Sequence, residues 1–317
     1  MTSDASQTRK HRAGLMDLLL VLVAIVWGSS YITTKTVVIA APVLWFLTAR
    51  FGIAAIAFNV YGWRHVRRAT RQTLITGLGL GAFLAGIFVT ETFGVKHTTA
   101  IDAGFLISLN VVMVPWVEAL LLRYRIRWPL IGAMAMAVLG TVLVTSVHGG
   151  PFTLNLGDGL ILIAAALRAT QMTVTKRWVP VDRMDIIALN GIQFTTVFLI
   201  CGVASVLTTS SSHNMTVLHA PLFWVIAAYL GVFGTVVAFV VQMVSIQHTS
   251  AARAALLLGL EPAFAAVFAV VGGEALSVVA GIGGALIVAG TLWGRRAEEV
   301  RRAAMDGDVL APTATSS

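Results

Sequence analysis

His97-Thr98-Thr99-Ala100 opens one apolar stretch, and 151 positions later His248-Thr249-Ser250-Ala251 opens another. Upstream, Asp17 precedes an apolar run ending at Thr34-Lys35, and Asp158 precedes one ending at Thr175-Lys176, 141 positions on. The chain reads as the same text twice. Each copy holds five apolar segments, and an odd number forces two consecutive copies into opposite orientations across a membrane. Inverted repeats of this kind place a site near the bilayer midplane, where the halves meet.

Composition agrees with a membrane setting. The 317 residues are 57% hydrophobic and 11% charged, with mean hydropathy +0.87, whereas a soluble domain averages about 25% charged. The apolar runs are long and uniform, so the spanning element is the helix rather than the alternating strand of an outer-membrane barrel. A net charge of +8 suggests nucleic acid only in a soluble protein; here its distribution gives a different cause. Cys201 is the only cysteine, so no intramolecular disulfide forms. The basic patch Arg9-Lys10-His11-Arg12 resembles the start of a signal peptide. Trp27-Gly28-Ser29-Ser30-Tyr31 follows instead of a cleavage site, so the segment reads as an uncleaved first span.

The expected fold is an all-α membrane protein of ten transmembrane helices in two inverted five-helix repeats. The first repeat occupies 15–146, with spans near 15–34, 42–63, 73–93, 99–122 and 128–146. The second occupies 158–294, with spans near 158–177, 185–207, 221–244, 251–272 and 276–294. Residues 1–14 and 295–317 are expected to be disordered cytoplasmic ends. With the N-terminus inside, 18 of the 22 Lys and Arg fall on cytoplasmic segments. Only Lys35 and Lys96 fall outside, and Arg50 and Arg168 lie within spans. One helix added or missed would put every later loop on the other side, so this asymmetry also requires both termini to be cytoplasmic. The +8 is mostly a cytoplasmic face.

A charge at mid-span costs about 2.5–3.5 kcal/mol on insertion scales, so intramembrane ionisable groups mark function or pairing. Arg50, Glu91, Glu118, Arg168 and Glu261 qualify. The repeat aligns Asn110 with Glu261, Glu91 with Gln242 and Trp27 with Arg168. Trp27, Tyr31, Arg50, Glu91, Asn110, Arg168, Gln171, Gln193 and Glu261 are therefore expected to line a central substrate cavity. The plainer reading is that Arg50–Glu91 or Arg168–Glu261 are closed ion pairs fixing helix register. Glu118 is expected to pair with Arg123 or Arg125. Pro115 and Pro262 each remove a backbone hydrogen bond and mark expected helix breaks. Small residues at four-residue spacing, Gly77, Gly81 and Ala85 in the third span and Gly281, Ala285 and Ala289 in the tenth, suggest close helix packing within the monomer or at a dimer seam.

Catalytic signals are absent: the seven histidines lack metal-ligand spacing, and the chain contains no nucleophile elbow or Walker motif. His97 and His248 read as structural turns. No cofactor, metal or nucleic-acid partner is expected.

Several of these residues also resemble one family. Trp27-Gly28-Ser29-Ser30-Tyr31 and Arg50 resemble the first- and second-helix features of the EamA family, in the drug/metabolite transporter superfamily. Gly259-Leu260-Glu261-Pro262, Gly273-Glu274 and the Gly283 to Gly290 stretch resemble its second-repeat signature. The resemblance covers residues 15 to about 294. It implies ten helices, cytoplasmic termini, a pseudo-symmetric cavity and ATP-independent export or exchange of small metabolites. The first repeat departs from the pattern, with Arg123 opposite Glu274 and Val111 opposite Pro262.

The expected function is a secondary transporter of the inner membrane working by alternating access, a monomer or homodimer in lipid. Its substrates would be small metabolites, amino-acid-like or drug-like compounds. Glu261 or Glu91 is expected to exchange a proton, and Arg50 or Arg168 to meet an anionic or zwitterionic group. Trp27, Tyr31 and Trp45 offer apolar recognition. The rivals are an intramembrane enzyme on lipid-linked substrates and a lipid-translocating or sensory membrane protein.

Overall fold

A computed structural model describes residues 2–122, 128–146, 155–179, 184–208, 215–248 and 257–310, and every regular element among them is helical. The helices are α1 (Thr2–Val38), α2 (Val43–Tyr61), the short α3 (Trp63–Arg67), α4 (Arg71–His97), α5 (Ala100–Ile107), α6 (Asn110–Leu122) and α7 (Trp128–Thr145). The second repeat contributes α8 (Leu156–Trp178), α9 (Ile186–Thr208), α10 (Pro221–Gly231), α11 (Ala238–His248), α12 (Glu261–Val271) and α13 (Val278–Leu310). A π-helical segment, Val232–Val237, joins α10 to α11. Seven of the described helical stretches are long and apolar enough to cross a membrane, and Glu261–Val271 and Val278–Gly294 are shorter apolar helices.

Several expectations change. Helical backbone extends into both polar ends, from Thr2 and as far as Leu310, where disorder was expected. Once a helix is nucleated in the apolar run, each further residue adds a hydrogen bond. The fourth span is broken, but not at Pro115, which α6 carries in its interior. The break is at Ser108–Leu109, where the Ser108 and Leu109 N–H groups turn back to the Phe105 and Leu106 carbonyls, both at 3.2 Å. The Ser108 hydroxyl also donates to Phe105 O at 2.7 Å, a local bond that competes with the helical ladder. Pro262 lies in the first turn of α12, where its missing N–H costs nothing. Thus α6 starts at Asn110 and α12 at Glu261, 151 positions apart. In the tenth span the residues buried against α7 are Gly283, Ile287 and Gly290, while Ala285 and Ala289 of the expected stripe are exposed on the single chain. The third-span stripe packs as expected, with Gly77 against Ile192 and Gly81 against Thr196 of α9. Arg123, Arg125, Arg127, Arg183, Arg253, Thr249-Ser250-Ala251 and Thr209 to Asn214 lie outside the described residues, as does the start of the ninth span.

The helices of one repeat pack chiefly against those of the other. Equivalent spans meet in α7 with α13, α2 with α9 and α5 with α12. The remaining contacts exchange as a twofold would exchange them. The α4–α8 contact is matched by α1 against α11, α4–α9 by α2 against α10, and α1–α12 by α8 against α5 and α6. Where α7 crosses α13 the backbones touch: a Cβ on Gly140 would lie 2.5 Å from Gly283 O, and one on Gly283 would lie 2.7 Å from Gly140 O. One core gathers rings from both repeats, including Phe51 over Phe88 at 4.7 Å and Phe194 against Phe58 and Phe239 at 5.2 and 5.1 Å.

At one end of the bundle, His65 of α3 hydrogen-bonds Asp185, whose other oxygen accepts the Ile187 and Ala188 N–H groups at the start of α9. Partial burial pushes the Asp185 carboxyl up, but the His65 bond and the backbone donors outweigh it and hold the group below the usual carboxylate range. A depressed folded value means that the contact stabilises above the ordinary carboxylate pKa and fades as pH falls through the depressed value. Both side chains are well exposed, so screening keeps the effect small. Asp185→Asn is expected to flatten the acid-side decline in unfolding temperature as pH falls below about 4, the ordinary carboxylate value. A decline as steep as that of the native protein would contradict this assignment.

Candidate functional site

The intramembrane charges converge between the repeats. Arg168 of α8 donates through Nη2 to Glu91 Oε2 of α4 at 2.8 Å. Glu91 is buried, and the Arg168 side chain is 23% exposed. Tyr31 of α1, 2% exposed, donates its hydroxyl proton to Glu261 Oε1 of α12 at 2.6 Å. Arg50 of α2 is buried with its guanidinium 4.8 Å from the Phe88 ring centroid and 5.5 Å from that of Phe51. Its Nε and Nη2 both reach Thr235 Oγ1 at 3.4 Å. Tyr31, Arg50, Glu91 and Arg168 lie within electrostatic range of one another, and Glu261 lies within range of Tyr31 and Arg168. Two arginines and two glutamates balance in formal charge.

The sequence reading found these groups but not their pairing. The closed ion pair is Arg168–Glu91, neither of the two pairs expected. Helix neighbours decide it: α8 packs on α4, α5 and α6, while α12 packs on α1 and α5. The bent segment above Arg50 also lay beyond the sequence reading. In the π turn, the Thr235 hydroxyl donates to Leu230 O five residues back at 3.0 Å, and Trp27 Nε1 donates to Gly234 O at 2.9 Å. π-Helical turns concentrate at functional sites because they offer side chains carbonyls that an α-helix would occupy. The Ser29 hydroxyl meets the Tyr229 hydroxyl at 2.8 Å one turn away.

The other expected residues are placed differently. Gln171 turns its amide to Leu80 O at 3.0 Å, stapling α8 to α4. Asn110 is the first residue of α6 and Gln193 sits on α9, both buried. Among the described residues no hydrogen bond or ion pair joins either one to the charged group. Glu118 is buried within α6, and its expected partners are outside the described residues. Pro115 and Pro262 occupy the helix positions given above. His97 and His248 each end a helix, α4 and α11. Among the described residues no group of His, Cys, Asp or Glu could hold a metal ion. A cleft of about 170 Å³ lies away from the charged group, lined by Pro42, Trp45, Phe93, Lys96 and Thr208 among others.

A second polar junction sits one turn along α1 from Tyr31. Lys35 Nζ reaches Glu274 Oε1 at 2.7 Å. The same oxygen accepts the Ala100 N–H at 2.9 Å, and Oε2 accepts the Ile101 N–H at 3.1 Å. The sequence reading named Glu274 only as part of a motif, because its partners are 173 residues and more away in the chain. Asp158 belongs to a separate cap at the start of α8: it completes a capping box with Asn155 and accepts from Thr98.

The model of the EamA-like transporter family matches residues 14–146 and again 155–293. An archaeal protein named "Uncharacterized transporter", from Archaeoglobus fulgidus, is 28% identical over 257 residues, covering 80% of this chain and 77% of its own. A solved crystal structure at 20% identity superposes with a TM-score of 0.59, covering 91% of this chain and 99% of the other. That likeness supports the fold alone.

Proposed function

Because the chain belongs to the EamA-like transporter family and is a multi-pass membrane protein, we propose that it is a secondary transporter of small metabolites, working by alternating access in the inner membrane. The proposed topology has ten spans in two inverted repeats with both termini cytoplasmic. In it α5 with α6 forms the fourth span, and α10 through α11 forms the eighth. The helix α8 carries Asp158, Arg168, Lys176 and Arg177 and is the most polar of the ten; it spans because the Arg168 charge is neutralised by Glu91.

One observation carries the mechanism. Tyr31–Glu261, Glu91–Arg168 and Arg50–Thr235 each join a first-repeat side chain to a second-repeat one. A substrate that bridges the repeats competes directly with these bonds, so its binding is coupled to their relative movement. Glu261 and Glu91 are the proton-exchanging groups of this scheme, and Arg50 and Arg168 are the groups for an anionic or zwitterionic function. Export and exchange of amino-acid-like or drug-like compounds both fit a site of this polarity.

Counterflow into proteoliposomes, across a panel of amino acids and common metabolites, tests the reading. At least one compound is expected to exchange above protein-free vesicles. An imposed pH gradient is expected to drive its net movement, and Glu261→Gln to retain exchange while losing the gradient's effect. If the gradient drives nothing, proton coupling is removed. If nothing on the panel moves, the metabolite reading fails.

A further inference from the structure

We propose that Glu274 is a gating residue, a latch between the repeats that must be released for the outer face to open. The inference rests on the alternating-access reading and topology above, and goes beyond them in naming what holds one gate shut.

Glu274 sits in the turn after α12, a second-repeat element, and its carboxylate meets Lys35, Ala100 and Ile101 of the first repeat. Its carboxylate takes a cation from the last turn of α1 and two N–H groups from the first turn of α5. The Lys35 and Glu274 side chains are 21% and 15% exposed, so the pair is shielded yet reachable from water. The α5 terminus uses its own Thr99 hydroxyl for the Asp102 N–H at 3.0 Å and leaves the Ala100 and Ile101 donors to Glu274. Anions are favoured at a helix N-terminus and cations at a C-terminus, so both helices contribute to holding this carboxylate. The turn is preformed to deliver it. Gly273 adopts φ 95°, a conformation costly for other residues, and Glu274 N–H bonds back to Ala269 O at 2.9 Å.

Behind the latch the same three helices are in tight contact. A Cβ on Gly28 of α1 would meet Phe264 and Ala265 of α12, and one on Gly104 of α5 would lie 2.4 Å from the Ala265 Cβ. Tyr31–Glu261 closes the next level inward. Separating α12 from α1 and α5 therefore begins with Glu274. The repeat makes the device one-sided. In sequence, the positions equivalent to Lys35 and Glu274 are Lys176 and Arg123, two cations that cannot latch each other. Closure of the outer side is favoured over closure of the inner side by this difference.

The test is site-directed labelling with a membrane-impermeant maleimide applied from outside to oriented proteoliposomes of the full chain. The reporter is Thr34→Cys, a near-isosteric change at a buried position on the Tyr31 face of α1. Native Cys201, fully buried, is the internal control for unfolding, with the labelled site assigned by mass spectrometry. Labelling at position 34 is expected to be slow with Glu274 present, and roughly tenfold faster in Glu274→Gln and in Lys35→Gln, as suits a lost charged hydrogen bond. Cys201 should stay unlabelled in both. The exchanged pair Lys35→Glu with Glu274→Lys is expected to recover part of the slow rate only, since lysine cannot accept the α5 N–H groups. Equal rates with and without Glu274, in protein whose Cys201 remains protected, overturn the latch. Position 34 that stays unlabelled from outside in every variant also overturns the latch, and it overturns alternating access only where the same vesicles show no counterflow.

Discussion

Glu91→Leu is expected to lose about 3–5 kcal/mol of stability, the cost of stranding one member of a buried ion pair, and Arg168→Met is expected to lose less. The order follows from what each change leaves behind. Without Glu91, Arg50 and Arg168 face each other across the repeat interface, and an arginine cannot shed its proton. Without Arg168, Glu91 still lies in the field of Arg50, and a carboxylate can neutralise itself by binding a proton. The double variant Glu91→Leu with Arg168→Met removes both charges together and is expected to fold to within about 1 kcal/mol of the native protein. It should not transport. Unfolding in detergent and counterflow in vesicles measure the two halves separately. Single variants that unfold like the native protein remove the energetic claim. A double variant that transports at the native rate reduces the pair to a fastener.

Alanine at Gly140 or Gly283 is the second large effect. The added Cβ would meet backbone rather than the end of a flexible side chain, at 2.5 Å in one case and 2.7 Å in the other. The α7 and α13 axes would have to move apart along their whole contact, at a cost of about 1–3 kcal/mol for one methyl group. Gly281→Ala is the control: nothing lies within 4 Å of its Cβ, and alanine is the better helix former. Gly140→Ala and Gly283→Ala are expected to lower the yield and unfolding temperature of purified protein, while Gly281→Ala leaves both unchanged or higher. Equal behaviour of the three would mean that α7 and α13 do not meet at this crossing.

Duplication, apolar segments and the mid-span charges Arg50, Glu91, Arg168 and Glu261 were legible in the chain, because periodicity and hydropathy act locally; the buried Asp102 and Asp158 were not picked out. Pairing was not, because depth along a span says nothing of rotation about its axis. Glu91 and Arg168 meet because α4 lies beside α8, a relation set by tertiary packing. The face of the tenth span that meets α7 was hidden for the same reason: Gly281, Ala285, Ala289 and Gly283, Ile287, Gly290 are both plausible stripes until α7 selects one. The fourth-span break was misplaced for a different reason. Pro115 is the local signal, yet the chain turns at Ser108–Leu109, the repeat equivalent of the residues preceding Glu261. Backbone shape has persisted across the two copies where the proline position has not.

The interleaving of the repeats also bears on how the protein is made. During synthesis the first repeat enters the bilayer while its main partners are still untranslated. The α2 surface waits for α9, and α7 waits for α13, the last of the described helices to emerge. Until then the Gly140 groove must be filled by lipid, and Glu91 must sit in the membrane without Arg168. The half-made chain therefore has a lifetime of its own, during which it is exposed to quality control. Substitutions that look mild in the finished bundle can act there, by lowering the amount of protein that reaches the membrane complete.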